Sequence, residues 1–287
     1  MEFDSKNSTL QAKDGTPTSY HAVIVDYGKS EAVHQLIRAL AQQSLRPESI
    51  SVVDNSPAAA AWSTVHPANS VDVPVSYEHF PENIGYTRAC NIGATGTSTH
   101  LLFLNPDIEF LSKDTMRSLL GHVLEHRINA PIGVTQKNPD GSYEPVARRS
   151  PTIRAILARR VPFANRLFSE SRAEYMDAYD CAHSPEATKS LEVDWLQSSF
   201  LLVPRALWNK IGGFDERYFV FMADVEYGNR CREHGHPMQL LRKYCVAADG
   251  VRSSRGGISS VFKSKSLRIH LKDAATYFIG RFAIGRG

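Results

Sequence analysis

Cysteine is scarce in this sequence, and the few cysteines are not spaced like metal ligands or a redox pair. Cys90, Cys181, Cys231 and Cys245 are scattered through 287 residues, with no C-x-x-C pair and no Cys/His cluster of zinc-binding spacing. The pattern therefore argues against a structural zinc site. It predicts reduced thiols in a cytoplasmic protein.

Long apolar runs and an excess of charge of one sign are also lacking. No uninterrupted apolar segment approaches the ~20 residues that span a bilayer, and residues 1–19 lack the apolar core of a secretory signal. The formal net charge of +3 is too small to predict a nucleic-acid partner. We expect a cytoplasmic protein that is not integral to a membrane. Because 42% of its residues are hydrophobic, it can bury a sizeable core.

Four regions follow one another along the chain. Residues 1–19 are polar and predict a disordered tail. Residues 20–130 alternate short apolar strands with helices of amphipathic spacing, which predicts an α/β fold with a parallel sheet and helices on both faces. In this region we predict strands at 21–25, 50–53, 71–77 and 101–104, and helices at 31–43 and 85–95. Residues 131–260 form a second half with looser patterning, and residues 261–287 predict a C-terminal helix.

The second half still carries recognisable local signals. A basic, helical stretch is predicted at 148–175, a loop at 177–190, a strand at 193–203, and helices at 205–211 and 225–235. The first of these two helices is predicted to end at Gly212-Gly213, because glycine accepts the left-handed backbone of a helix C-terminus.

Polar residues follow three of the predicted strands. They are Asp26-Tyr27, Asp54-Asn55 and Asn105-Pro106-Asp107. In a parallel sheet, ligands bind beyond the carboxyl ends of the strands. Three such endings together predict a polar ligand lying across the sheet edge, such as a nucleotide.

Four motifs occur in an order and spacing that resemble a known family. They are residues 83–93 (NIGYTRACNIG), 104–107 (LNPD), 212–216 (GGFDE) and 224–226 (DVE). They look like the signatures of family-two inverting glycosyltransferases of the GT-A type. Within that family the chain is most similar to bacterial rhamnosyltransferases that build O-antigens and other surface polysaccharides. The resemblance covers about residues 20–280 and includes an ending like Asp249-Gly-Val-Arg252-Ser-Ser.

The resemblance implies both a fold and a reaction. The fold is a GT-A-type, Rossmann-like nucleotide-binding sheet (20–130) merged with a smaller acceptor-binding and catalytic half (131–260). The reaction is inverting transfer of a sugar from a nucleotide diphosphate to a glycan acceptor, which the subgroup implies is lipid-linked. The subgroup implies dTDP-rhamnose as donor, with UDP- and GDP-sugars left open.

Asp107 is the expected metal ligand. In the family this aspartate ends the metal-binding motif, and a Mg²⁺ or Mn²⁺ ion held by carboxylate oxygen neutralises the departing diphosphate. The alternative is a turn or helix-capping aspartate after Pro106. Relatives often add a histidine where this chain has Ala248. Metal binding is therefore expected to be looser here, with Asp249 as a further candidate ligand.

Asp224 is the expected catalytic base, which takes the proton of the acceptor hydroxyl during attack. Family members usually carry Glu-Asp at this point, whereas this chain has Ala223-Asp224. The predicted position at a helix start favours the ionised carboxylate through the helix dipole. A plain N-cap role is the alternative.

Other residues are expected to contact the donor or the acceptor because the resemblance places them there. For the nucleotide sugar they are Tyr27, Asp54, Asn83, Arg88, Asn105, Asp107 and Arg252. For the pocket of the donor sugar and acceptor they are Trp195, Gln197 and Glu226, with a buried core tryptophan and a structural glutamate as alternatives. Asp26, Gly28 and Ser198 depart from the usual family residues.

The C-terminal stretch, residues 261–287, combines helical apolar spacing with basic residues. Leu271, Ala274 and Phe278 fall on one predicted face, surrounded by lysine and arginine. Such a helix suits peripheral contact with the inner face of an anionic membrane. Packing on the domain or on a second subunit is an equal alternative.

Two other functions remain open from the sequence. A nucleotidylyltransferase of the same fold would carry a glycine-rich basic loop after the first strand, and residues 26–30 (DYGKS) lack the repeated glycines. A catalytically degenerate sugar-nucleotide or glycan-binding partner is suggested by Ala223, Ala248 and Ser198. The retained Asp107 and Asp224 argue against it.

Overall fold

The computed structural model describes residues 10–11, 15, 17–57, 71–160, 162–249 and 265–283. The strands are β1 Leu10–Gln11, β2 Pro17–Thr18, β3 Tyr20–Asp26, β4 Ser49–Asp54, β5 Val75–His79, β6 His100–Leu104, β7 Ile132–Lys137, β8 Ala147–Arg148, β9 Leu191–Val193, β10 Trp195–Leu196, β11 Phe200–Pro204 and β12 Met238–Ala247. The helices are α1 Ser30–Ala41, α2 Tyr86–Gly93, α3 Thr115–Glu125, α4 Ile153–Arg160, α5 Pro162–Leu167, α6 Ser169–Met176, α7 Arg205–Ile211, α8 Ala223–Glu233 and α9 Lys265–Ala283.

The central sheet has the strand order β5-β4-β3-β6-β11-β7-β12-β9. The first four of these strands are parallel, as predicted. The strands of the second half extend this sheet, with β11 antiparallel between β6 and β7 and β9 antiparallel at the far edge. The pairing of Phe200 with Leu104 joins residues about a hundred positions apart, which local periodicity does not encode.

Two hydrophobic cores lie on the two faces of this sheet, since successive side chains of a strand point in opposite directions. Ala22 and Ile24 of β3 pack into one core, whereas Val23 packs into the other. The first core is covered by α1, whose buried residues Val33, Leu36, Ile37 and Leu40 have helical spacing.

Most of the predicted local elements are confirmed, with boundary shifts of a few residues. Helix α7 matches its predicted range, and Gly212 ends it with φ of 93° in the left-handed region. The basic 148–175 stretch contains α4, α5 and part of α6. The predicted strand 193–203 is instead divided among β9, β10 and β11.

The N-terminal prediction was only partly right. Leu10 pairs with Thr18, and Gln11 pairs with Pro17, in a short antiparallel hairpin. Residues 1–19 are therefore not wholly a disordered tail. Residues 1–9 lie outside the described part of the chain.

The C-terminal helix α9 packs on the domain, with Ala274 and Phe278 of the predicted face against the core. Its buried side chains are His270, Asp273, Ala274 and Tyr277, whereas Leu271 is 42% exposed. Two polar residues thus occupy the contact face because they find specific partners in the domain. No helix in the described residues is long and apolar enough to cross a bilayer.

Candidate active site

The carboxyl ends of the parallel strands bring the predicted donor-binding residues to one edge of the sheet. Asp26 at the end of β3 lies opposite Asp54 at the end of β4. Asn105 follows directly after β6, the strand that pairs with β3 on its other side. The predicted convergence of polar strand ends is present in the fold.

Asp54 is fully buried and held at both carboxylate oxygens. The hydroxyl of Tyr77 donates to Oδ2 at 2.7 Å, and the backbone N–H of Ser56 donates to Oδ1 at 2.8 Å. These bonds fix the turn after β4 in a single shape. In this arrangement Asp54 shapes the edge of the site.

Asp26, one of the predicted strand-end residues, has an open acceptor that the sequence did not reveal. Its carboxylate is buried, Oδ1 accepts the N–H of Lys29 at 2.7 Å, and Oδ2 has no hydrogen-bond partner among the described residues. Burial raises the pKa of Asp26, the N–H of Lys29 lowers it, and the charge of Asp54 raises it further. A buried acceptor left open at a ligand edge suits a hydroxyl or N–H of a nucleoside.

Tyr27 is 56% exposed at the end of β3, so its ring is free to stack on a planar base. The next residue, Gly28, has φ of 76°, and its N–H donates to the Ser56 hydroxyl at 2.8 Å. The loop after β3 is thereby tied to the loop after β4.

Asp107 lies in an ionic cluster with Lys29 and Asp249. The Lys29 ammonium is 3.7 Å from Asp107 Oδ1 and 3.1 Å from Asp249 Oδ2. Burial raises the pKa of Asp107, the charge of Lys29 lowers it, and the charge of Asp249 raises it. The structure thus places Asp249 beside the expected metal ligand.

The donor set of this cluster fits a hard divalent cation, which prefers carboxylate oxygen. Two carboxylates face one another with a cation between them, and here that cation is the Lys29 ammonium. No group of three His, Cys, Asp or Glu ligands occurs in the described residues. A bound metal would therefore take its remaining ligands from phosphate and water.

Asp224 is the second residue of α8, and its surroundings decide its charge. Its Oδ1 is enclosed and has no hydrogen-bond partner among the described residues. Burial raises the pKa of Asp224 to about 6, against the lowering effects of Ser198 and the Arg148 charge. The expectation that the helix dipole sets its ionisation was incomplete, because desolvation outweighs it.

The segment 198–199 links Asp224 to the Asp107 turn. Hydrogen bonding from Ser198 lowers the pKa of the Asp224 carboxyl. The carbonyl of Ser198 accepts the Tyr86 hydroxyl at 3.2 Å. The carbonyl of Ser199 accepts the N–H of Asn105 at 2.9 Å. Both acidic positions therefore border the same short segment.

The motif at 83–93 serves as a brace between the two halves of the chain. Asn83 accepts the N–H of Gly85 at 2.9 Å, and the N–H of Tyr86 donates to the Phe219 carbonyl at 2.7 Å. Asn91 donates to the Phe214 carbonyl and accepts the Phe214 N–H. Arg88 is exposed on α2.

Trp195 lies in a buried, aromatic setting. Its indole N–H donates to the Arg149 carbonyl at 2.7 Å, and the Arg148 guanidinium lies 5.2 Å from its ring centroid. The residue is 5% exposed, as expected for the core alternative. Gln197 is half-buried, and its backbone N–H donates to the Val146 carbonyl at 2.8 Å.

Glu226 is held in an ion pair rather than next to Asp224. Its Oε1 accepts from Arg230 Nε at 2.6 Å, and Arg230 also donates to the carbonyls of Ile211 and Gly213. Burial raises the pKa of Glu226, and Arg230 lowers it. With Tyr277, Glu226 lines a cavity of about 460 Å³ whose lining does not include Asp224. Arg252 lies outside the described residues.

Sequence comparison finds a relative of known activity. No protein-family profile matches the chain. It is similar to the N-acetylglucosaminyl-diphospho-decaprenol L-rhamnosyltransferase of Mycobacterium tuberculosis, with 26% identity over 234 residues that cover 74% of this chain and 70% of the relative. The predicted resemblance to bacterial rhamnosyltransferases is confirmed by this likeness.

Solved structures share the fold. Staphylococcus aureus TarS has a TM-score of 0.53 and 15% identity, over 81% of this chain and 37% of TarS. The mannosyltransferase PcManGT of Pyrobaculum calidifontis, solved with GDP-Man and Mn²⁺, has a TM-score of 0.54 and 12% identity, over 88% of this chain and 62% of PcManGT. The chain thus spans less than two thirds of either structure. The predicted GT-A-type fold is confirmed, and the two alternative functions find no support in these likenesses.

Proposed function

We propose that this homologue of a mycobacterial rhamnosyltransferase is an inverting glycosyltransferase. It moves a sugar from a nucleotide diphosphate to a hydroxyl of a glycan acceptor. The observation that carries the proposal is that Asp224 and the Asp107 turn border one segment, residues 198–199, at the ligand edge of the sheet. Transfer needs a base and a site for the leaving group, and this edge supplies both.

Asp224 supplies the base. With a pKa of about 6, its carboxyl is mostly ionised at neutral pH, yet it is more basic than an exposed aspartate. The carboxylate takes the proton of the acceptor's hydroxyl group. At the same time that hydroxyl oxygen bonds to the anomeric carbon of the donor sugar, and the bond from this carbon to the diphosphate breaks. Attack from the face opposite the leaving group inverts the anomeric configuration.

The β3 and β4 ends bind the nucleoside. Tyr27 offers an exposed ring for stacking, and Asp26 Oδ2 offers a free acceptor. Asp54 keeps both loops in place through Tyr77 and Ser56. Of the other predicted donor contacts, Asn83 and Asn105 support the backbone around the edge, while Arg88 and Arg252 remain candidates for the phosphates.

Asp107 and Asp249 would hold Mg²⁺ or Mn²⁺, with Asp107 as the principal ligand. A bound ion of this kind neutralises the charge of the departing diphosphate. The mannosyltransferase of similar fold was solved with Mn²⁺. In this chain Lys29 must leave the two carboxylates when such an ion binds.

We further propose dTDP-rhamnose as donor and a lipid-linked glycan as acceptor, in the synthesis of a bacterial surface polysaccharide such as an O-antigen. The support is the name of the mycobacterial relative, which acts on an N-acetylglucosaminyl-diphospho-decaprenol. Such an acceptor lies in a membrane, so the enzyme would work as a peripheral protein at the cytoplasmic face.

The test is transfer by wild-type protein and by Asp224→Asn, with an N-acetylglucosaminyl diphospholipid as acceptor. The amide keeps the shape of the carboxylate but cannot take the proton, so we expect kcat to fall by about 10²–10⁴-fold. Product would be measured by mass spectrometry, and Glu125→Gln, an exposed carboxylate of α3, is the matched control. Undiminished turnover by Asp224→Asn would remove Asp224 as base.

A further inference from the structure

The start of α8, which carries Asp224, is not held by its own sequence. Its N-cap residue Met222 forms no side-chain capping bond and has φ of 63°, in the left-handed region. A non-glycine residue in that region is strained, because its Cβ lies too close to the following carbonyl oxygen. Interactions from elsewhere must therefore stabilise the loop before α8.

Asp273 of α9 supplies these interactions. Its carboxylate is fully buried and accepts three consecutive backbone N–H groups, from Phe219 at 3.1 Å, Val220 at 3.0 Å and Phe221 at 2.8 Å. Bonds to an ionised acceptor are stronger than those between neutral groups. The residues lie 52 to 54 positions apart in the chain, so this is a tertiary contact.

Neighbouring residues of α9 hold the same region. The His270 ring lies 4.6 Å from the Phe221 ring, and the Tyr277 hydroxyl accepts from Asn229 of α8 at 2.8 Å. Positions 270, 273 and 277 share one face of a helix. That face thus contacts both the loop 219–221 and the body of α8.

From the other side, the loop meets the motif at 83–93. The Phe219 carbonyl accepts the Tyr86 N–H at 2.7 Å, and the Thr87 hydroxyl donates to the Tyr218 carbonyl. A Cβ on Gly85 would lie 2.9 Å from the Phe219 ring. The loop is therefore fixed between α2 and α9, and Asp224 follows three residues after Phe221.

We propose that Asp273 is a positioning residue for transfer: by holding the amides of 219–221, it fixes the start of α8 and hence the Asp224 carboxyl. This inference rests on the proposed function of Asp224. It assigns to the C-terminal helix a role within the protein, in addition to any contact with a membrane.

The first test is amide hydrogen exchange of the whole chain. In wild-type protein the amides of 219–221 should be protected, although they lie in a loop, because each is bonded to a buried carboxylate. Asp273→Asn replaces the carboxylate with a neutral amide that has a single acceptor oxygen. Hydrogen exchange of the backbone amides of 219–221 should therefore be about tenfold faster or more. Glu125→Gln should leave these rates unchanged.

The second test is the kinetics of the same variants. Asp273→Asn should lower kcat by about 10–100-fold, since small displacements of a reacting group have effects of that size. The affinity for dTDP, measured by calorimetry, should change by less than about twofold, because Asp273 bonds to residues 219–221 and not to the ends of β3 and β4. A general loss of stability would lower both kcat and the affinity for dTDP, whereas a positioning role lowers kcat alone.

The outcomes are distinguishable from those of the proposed function. If wild-type protein transfers no sugar, the proposed function fails. Amide exchange at 219–221 still shows in that case whether Asp273 protects these groups. Wild-type amides that exchange as fast as those of a free peptide would overturn the inference, even if Asp273→Asn does not fold. So would normal kcat in a folded Asp273→Asn protein.

Discussion

Burial raises the pKa of three aspartates at the ligand edge: Asp26, Asp107 and Asp224. Perturbed carboxyl groups concentrate where a ligand must be bound or a proton moved. Each carries an energetic cost in the ligand-free protein, because a buried charge lacks full compensation.

Asp224→Asn should make the protein more stable at pH 8. A folded-state pKa raised to about 6 means that the charged carboxylate destabilises the native state above that pH. The amide removes this penalty, so we expect a gain of about 1–3 kcal/mol in the free energy of unfolding. Below the usual aspartate pKa of about 4, both proteins carry a neutral group and the gain should disappear.

Denaturant unfolding at pH 8 and pH 4 measures this difference, with exposed Asp177→Asn as control. The sign is opposite to that of a salt-bridged aspartate, whose removal destabilises the protein at high pH. A variant less stable than wild type at pH 8 would show that Asp224 makes a stabilising contact in the folded state.

Lys29→Met should strengthen metal binding. The ammonium of Lys29 now neutralises Asp107 and Asp249, so a divalent ion has to displace it. Because these groups are partly exposed, the competition is modest, and we expect the Kd for Mn²⁺ to fall by about fivefold. Calorimetry without nucleotide measures it, with exposed Lys113→Met as control. Weaker Mn²⁺ binding in Lys29→Met would contradict the competition.

Residue types at the site were partly predictable. Asp107, Asp224 and Asp249 were chosen through motif resemblance, and the structure sets them at one edge or beside one segment. Asp26 was predicted as a polar strand end that departs from the family, but its open oxygen becomes visible only when neighbouring strands are paired. Lys29 gave no local signal, because its partners are distant in sequence.

At the scale of elements, α2 packs very closely against β3 at its C-terminal end. Gly93, its last residue, lies against β3, where an added Cβ would be 2.5 Å from Val23 Cγ1. The His21 ring also contacts the Gly93 carbonyl, at 2.9 Å. The close approach of helix and strand therefore requires glycine at this position.

Two helical glycines should respond in opposite ways to alanine. Gly93→Ala should lower the free energy of unfolding by about 1–3 kcal/mol, because the strand must move away. Gly121→Ala in α3 has nothing within 4 Å of the new Cβ and should raise it by about 0.5–1 kcal/mol through helix propensity. Equal changes in the free energy of unfolding for the two variants would show that Val23 can move away from the new Cβ without destabilising the protein.

Elements with strong local signals were predicted best. Helix α1 has its four buried residues at regular spacing, and α7 ends at a left-handed glycine. Helix α9 was found, but its contact face was predicted only in part, since Leu271 is exposed. His270 and Asp273 look like surface residues until their partners Phe221 and Phe219 are known.

At the scale of the molecule, one sheet runs through both predicted halves. Strand β11 of the second half lies beside β6 of the first, with registered pairs from Phe200 with Leu104 to Pro204 with His100. Leu101 and Phe103 share a core with Leu201 and Val203. The sequence suggested two regions because the patterning changes near residue 131, but this pairing joins them.

A chain ending at residue 130 should therefore not fold cooperatively. It would expose the edge of β6 that pairs with β11, and it would lose most of the core that contains Val23. We expect poorly dispersed amide signals by NMR and no sharp thermal transition, whereas the full chain should unfold in one transition. A cooperative fragment that binds dTDP would show that the first half is an autonomous domain.

The bracing of the loop 214–221 by the motif at 83–93 limits how this chain can exchange parts with its relatives. A hybrid that takes only residues 131–260 from another enzyme would set a foreign loop against the native Gly85, Thr87 and Asn91, which bond to or touch that loop here. A new version of residues 131–260 would thus have to be inherited together with a matching α2 from the first half. Two separate stretches of the sequence must therefore fit each other in this fold.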